Sequence, residues 1–192
     1  MTPAPQSGAA SRPTVNVRFS ATEIAARVEL MAAELASKLP PDTLVVSVLK
    51  GSFVFAADLI RALSHAGADW AMDFLTLSSY GAGTETSGRV RIVRDIVDDV
   101  RGRDVLLIDD ILESGLTLSF ARNLLKERGA RRVWVCTLLD KPARRLVEID
   151  VDYVGFTIPD QFVVGYGLDY GELYRNLRFV GVLRPEVYSS AE

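Results

Sequence analysis

The run V-L-L-I-D-D-I-L-E-S-G-L-T-L, residues 105–118, sets three carboxylates beside a loop suited to an anion. Ser114, Gly115 and Thr117 offer two hydroxyls and closely approachable backbone N–H groups where a helix is expected to open. That combination suits a monophosphate, because N–H groups and the helix dipole favour negative charge there. Asp109 and Asp110 stand just ahead, with no Lys or Arg inside the run. Adjacent carboxylates in that position suit the hydroxyls of a sugar, or a hard cation that bridges acids and phosphates. The conflict between acids and an anion site resolves if the ligand carries both a phosphate and a diol, or brings Mg²⁺ with it.

Such groups need a strand that delivers the acids and a helix that begins at the glycine. Residues 104–109 read as a buried strand and residues 116–128 as a helix. Upstream, Ser20 followed three residues later by Glu23 forms a capping box. Ile24, Val28, Met31, Leu35 and Leu39 then recur at helical spacing until Pro40 and Pro41 stop the run. Residues 43–49 read as a strand ending at K-G-S, residues 53–64 as a second helix closed by Gly67, and residues 70–80 as a strand. The Gly- and Thr-rich loop 81–88 and the strand-like R-V-R-I-V-R-D-I suggest a hairpin with a long tip. Residues 132–139 form a further strand. Strands alternating with helices imply an α/β fold with a Rossmann-like parallel sheet flanked by helices. The tail from Tyr153 differs: three short strand-like pieces separated by Gly and Pro, expected as edge strands or a small hood over the sheet's carboxyl end.

Ligands of open α/β sheets bind beyond the carboxyl ends of strands. L-K-G-S, L-S-S-Y and I-D-D-I-L-E-S-G-L-T-L all fall there. Neither a Gly-x-Gly-x-x-Gly fingerprint placed after a strand nor a nucleoside triphosphate P-loop is present.

A chain of 192 residues with 48% hydrophobic and 24% charged residues suits one soluble globular domain. We expect residues 1–13 to be a disordered tail and 14–192 a single domain, its hood drawn from the N-terminal segment, the region after 153, or both. A net charge of -3 argues against broad nucleic-acid binding, which needs many cations to neutralise phosphates. The single cysteine, Cys136, lies in an apolar run and is read as a small core hydrophobe. No charged start followed by an apolar stretch opens the chain, and no apolar run approaches the roughly 20 residues of a membrane helix, so the expectation is a cytoplasmic protein without membrane contact.

Residues 105–118 resemble the 5-phosphoribosyl 1-pyrophosphate (PRPP) signature of type I phosphoribosyltransferases through all its positions. V-L-K-G-S-F-V-F-A-A-D-L, D-F-L-T-L-S-S-Y-G, L-L-D-K-P-A-R-R and V-G-F-T-I-P-D-Q-F-V-V-G-Y-G-L-D-Y-G-E-L-Y-R-N-L extend the likeness to the hypoxanthine (hypoxanthine–guanine) phosphoribosyltransferases over residues 20–183. The resemblance implies transfer of phosphoribosyl from PRPP to N9 of a 6-oxopurine, with Mg²⁺ as cofactor and a homodimeric or homotetrameric assembly. It implies that Asp109 and Asp110 hold the ribose hydroxyls and metal, and that Ser114, Gly115, Leu116 and Thr117 wrap the 5′-phosphate. By the same likeness Lys50, Gly51 and Arg175 meet pyrophosphate, and the family often has a cis peptide before that Lys. The likeness further implies that Ser79 and Tyr80 begin a mobile loop, that Lys141, Phe162 and Val163 receive the purine, and that Asp169 holds a second Mg²⁺.

The chain departs from the family at Glu113, where Asp is usual. That acid is expected to take or share the purine N7 proton, and its extra methylene changes its reach. Leu116 stands where some members carry Lys. His65 receives no catalytic role. The alternatives are an RNA-binding regulatory homologue, which should show a basic face and has no reason to keep Lys141 and Phe162, and a phosphoribosyltransferase preferring xanthine or a pyrimidine.

Overall fold

The computed structural model describes residues 15–79 and 90–188. The expected N-terminal tail, the 81–88 loop and Tyr80 lie outside the described residues. In chain order the elements are β1 (Val15–Phe19), α1 (Ala21–Lys38), β2 (Leu44–Leu49), α2 (Phe53–His65), β3 (Met72–Ser79) and β4 (Val90–Arg94). They continue with β5 (Asp104–Leu112), α3 (Leu116–Glu127), β6 (Arg132–Asp140), a 3₁₀ turn (Pro142–Arg144), β7 (Tyr153–Thr157), β8 (Val163–Val164), β9 (Val180–Leu183) and α4 (Pro185–Tyr188).

Six strands form the main sheet in the order β4-β3-β2-β5-β6-β7. All neighbours run parallel except β4, which returns antiparallel to β3. The fold is therefore the α/β class expected from strands alternating with helices. α1 starts at the capping box, Ser20 Oγ accepting from Glu23 N and the Glu23 carboxylate from Ser20 N.

Strand alternation divides the interior in two. Leu44, Val46, Val48, Val105, Leu107, Val133 and Val135 pack with Leu118, Ala121 and Leu125 of α3. Val45, Leu106, Ile108, Trp134, Cys136 and Leu138 pack with α1 and α2 on the other face. Both faces are covered, so these strands are continuously apolar rather than alternating. Burying one such side chain contributes about 1.5–3 kcal/mol. Cys136 is fully buried and its thiol is pushed up by burial, as its apolar setting suggests.

The structure departs from the sequence reading in two places. β5 continues past Asp109 to Leu112, because β6 keeps pairing with it as far as Leu112↔Asp140. The strand β1, which periodicity alone did not reveal, pairs antiparallel with β9 across nearly the whole chain. β9 also pairs β8, giving a separate three-stranded sheet β1-β9-β8. Of the three C-terminal pieces, β7 becomes the edge of the main sheet, whereas β8 and β9 join this small sheet.

Candidate active site

Alternation along β5 opens its two acids into adjoining cavities, with their carboxyls still close enough to interact. Asp109 follows the α3 side set by Leu107 and lines a cavity of about 170 Å³ with Glu113, Ser114, Gly115 and Thr117. Asp110 follows the α1–α2 side set by Ile108 and lines a second cleft of about 560 Å³ with Lys50, Gly51, Glu113, Lys141, Phe162 and Arg175. Glu113 and Ile111 border both cavities, which are thereby adjoining.

The smaller cavity opens on the start of α3. Gly115 is its N-cap residue at φ +85° and has no side chain to cap the helix, while Ser114 Oγ accepts from Leu116 N at 3.3 Å. A Cβ on Gly115 would lie 2.5 Å from Val147 O, so the turn needs glycine both for its left-handed φ and for space. Leu146 N and Val147 N donate to Ser114 O at 2.9 and 3.0 Å, fixing the loop from behind. Arg145 adds a bond to Glu113 O at 2.9 Å and pairs with Asp140. N–H groups at a helix start suit an anion.

At the far edge of the larger cleft, the β2–α2 loop carries Lys50 and Gly51. The Leu49–Lys50 peptide is cis. Ser52 anchors the loop, its hydroxyl bonding Val48 O and lying 2.7 Å from Ser47 Oγ in a fully buried contact. Lys50 Nζ donates to Glu172 Oε1 at 3.0 Å. Arg175 donates to Glu172 Oε2 at 3.1 Å and to Gly167 O at 2.8 Å, and forms an ion pair with Asp169 at 2.9 Å. Arg175 Nε is buried and has no hydrogen-bond partner among the described residues. Asp169 also accepts from Glu172 N at 2.8 Å, so it closes a turn as well as pairing with Arg175.

The cleft also holds Lys141, only 4% exposed, which donates to Glu113 Oε1 and lies 3.9 Å from Asp160. Asp160 in turn holds Arg144 at 2.8 Å. Phe162 is partly open to the cleft, stacked on Tyr188 with ring centroids 5.1 Å apart and edge-on to Tyr170 at 5.6 Å. Val163, buried in β8, faces the same cleft. Ser79 ends β3, and nothing further is described of its side chain.

Burial, and then the neighbouring Asp110 charge, pushes the Asp109 carboxyl well above the usual range. Burial likewise raises Asp110, against opposing hydrogen bonds and the more distant Arg175. Two acids held this way favour a cation or hydroxyl donors. No cluster of three or more His, Cys, Asp or Glu is gathered for a metal among the described residues. Mg²⁺ is commonly held by one or two carboxylates plus substrate phosphates, so the pair fits a cation that arrives with its ligand.

The candidate residues therefore collect in two joined cavities, apart from Leu116 and Ser79, which line neither, and Tyr80, which lies outside the described residues. Sequence reasoning missed Ser52, Asp140, Arg145, Asp160 and Glu172. Only K-G-S, L-L-D-K-P-A-R-R, I-P-D-Q-F and D-Y-G-E-L-Y-R, already quoted for other residues, hinted at them.

A phosphoribosyl transferase domain matches residues 20–171. The chain is similar to the hypoxanthine-guanine phosphoribosyltransferase of Bacillus subtilis (strain 168), 49% identical over 176 residues, covering 91% of this chain and 96% of that protein. It is equally similar, at 49% over 174 residues, to the bifunctional protein TilS/HprT of Listeria monocytogenes, covering 90% of this chain. The chain spans only 26% of the length of that relative. A solved hypoxanthine phosphoribosyltransferase from Staphylococcus aureus is 43% identical with a TM-score of 0.84, covering 90% of this chain and 93% of that one.

Proposed function

Because the chain belongs to the phosphoribosyl transferase family, among the hypoxanthine–guanine phosphoribosyltransferases, we propose that it transfers phosphoribosyl from PRPP to N9 of hypoxanthine or guanine. The products are IMP or GMP and pyrophosphate. One observation carries this reading: a single cleft brings Lys50, Asp110, Glu113, Lys141, Phe162 and Arg175 to a shared space, next to the glycine-initiated start of α3.

The proposed roles follow from the chemistry of each group. The N-terminal turn of α3, with Ser114, Gly115, Leu116 and Thr117, binds the 5′-phosphate through backbone N–H groups and hydroxyls. Asp109 and Asp110 accept from the ribose hydroxyls. Phe162 stacks on the base, and Val163 meets its edge. The Lys141 ammonium donates to O6, a preference that disfavours adenine, whose 6-amino group would oppose donor to donor. N9 attacks C1′ as the C1′–O bond to pyrophosphate breaks, and Glu113 takes or shares the proton at N7. Negative charge grows on the departing pyrophosphate, where Lys50 and Arg175 stabilise it. Mg²⁺ held at Asp109 and Asp110, and a second Mg²⁺ held at Asp169, would add charge neutralisation on the same leaving group. Ser79 and Tyr80 open the loop proposed to exclude water.

The reading takes residues 14–192 as one domain with the β1-β9-β8 sheet as its hood, acting as a cytoplasmic homodimer or homotetramer. No helix among the described residues is long and apolar enough to cross a membrane. The purified chain with PRPP, Mg²⁺ and hypoxanthine should form IMP and pyrophosphate in equal amounts. Absence of nucleotide product at saturating substrates, with tight RNA binding instead, would overturn the enzyme reading in favour of the regulatory one.

A further inference from the structure

Glu172 stands between the two cations proposed to receive pyrophosphate. One carboxylate oxygen accepts from Lys50 Nζ at 3.0 Å and the other from Arg175 Nη2 at 3.1 Å. A bridging anion divides its oxygens between two cations in this way. The backbone presents the side chain deliberately: Glu172 sits at φ +65° in a turn closed by its own N–H to Asp169 Oδ2 at 2.8 Å and by Leu173 N to Tyr170 O at 3.1 Å. A non-glycine residue adopts that φ only where its surroundings hold it there.

We propose that Glu172 sets the affinity of the pyrophosphate subsite: its carboxylate occupies the anion position between Lys50 and Arg175 in the free protein and swings out when a diphosphate group enters. This rests on the phosphoribosyltransferase reading given above. The clasp is displaceable, since the Lys50 and Glu172 side chains are each 65% exposed and exposed ion pairs are weak. It also balances charge locally, with Lys50 and Arg175 facing Glu172 and Asp169. An arriving diphosphate must displace one carboxylate and then meets its repulsion. The cost limits how tightly product pyrophosphate is retained, which favours its release.

Titration calorimetry with inorganic pyrophosphate and Mg²⁺ tests this on the full chain, comparing wild type with Glu172→Gln and Glu172→Asp. Removing one charge about 4 Å from a diphosphate in water is worth on the order of a fivefold change in affinity. Glu172→Gln should therefore bind pyrophosphate about fivefold tighter, and its inhibition by pyrophosphate should strengthen by the same factor, with KM for hypoxanthine unchanged. Glu172→Asp, too short to span both cations, should fall between the two. Unchanged or weaker pyrophosphate binding in Glu172→Gln, with the thermal midpoint preserved, overturns the inference alone. A wild-type chain that binds neither pyrophosphate nor PRPP overturns it together with the functional reading.

Discussion

Gly51 and Asp110 touch so closely that a Cβ on Gly51 would lie 1.7 Å from Asp110 Oδ2. The β2–α2 loop and the carboxyl end of β5 are thus fitted to each other, and the fit leaves no room for a methyl group. The Asp110 carboxylate is further held by Ile111 N at 2.9 Å.

Gly51→Ala must push Asp110 or the loop aside, and both are assigned to PRPP. Small misplacements of reacting groups cost on the order of 100-fold in rate. We expect kcat/KM for PRPP to fall by about that factor, with the fold retained by circular dichroism. Unaltered PRPP kinetics would remove the Gly51–Asp110 contact from the site.

Glu113, the acid that departs from the usual Asp, accepts from the buried Lys141 ammonium. Glu113→Gln keeps the length and removes the base. General acid–base groups contribute typically 10²–10⁴-fold, so kcat should drop by at least about 100-fold while KM for PRPP moves little. Steady-state kinetics decide it: a KM effect without a kcat effect would assign Glu113 to binding.

Lys141→Ala removes the proposed O6 donor and leaves the half-exposed Glu113 free to meet water. Hydrogen bonds to charged groups contribute about 1.5–3 kcal/mol, so KM for hypoxanthine should rise roughly 10- to 100-fold. Binding of PRPP, measured directly, should stay within about twofold, since Lys50 and Arg175 are proposed to carry that end. Equal losses of base and PRPP affinity would contradict a base-reading role.

Tyr166 ties the segment that carries Asp169 and Arg175 to α2, its hydroxyl donating to Asp58 Oδ2 at 2.6 Å. Burial first, and then Asp58, raises the Tyr166 phenol above its ordinary value of 10.0. A phenol kept protonated by the fold stabilises the protein fully below pH 10, and that contribution is lost as pH rises above the unfolded value. Chemical denaturation across this alkaline range should show a steeper stability loss in wild type than in Tyr166→Phe. At neutral pH Tyr166→Phe should be destabilised by about 1 kcal/mol. Parallel pH profiles would argue that another group governs the alkaline limb.

Much of this protein was legible locally. The capping box at Ser20 and Glu23, the two-sided apolar strands and the run from Asp109 to Thr117 each declare themselves within a few residues, because helix caps, strand periods and anion loops are short-range chemistry. These features determined the α/β class and the place of the phosphate-like loop, and resemblance supplied the roles of the remaining residues. Tertiary structure decided what depends on distant partners. Val15–Phe19 becomes a strand only because Val180–Leu183 is there to pair with it. Lys50 and Arg175 share one carboxylate of Glu172, and Lys141 meets Glu113, because the sheet brings loops far apart in sequence to its carboxyl edge. β5 itself places Asp109 and Asp110 in different cavities, since side chains alternate across a strand, but which cavity each enters was set by the helices packed on either face.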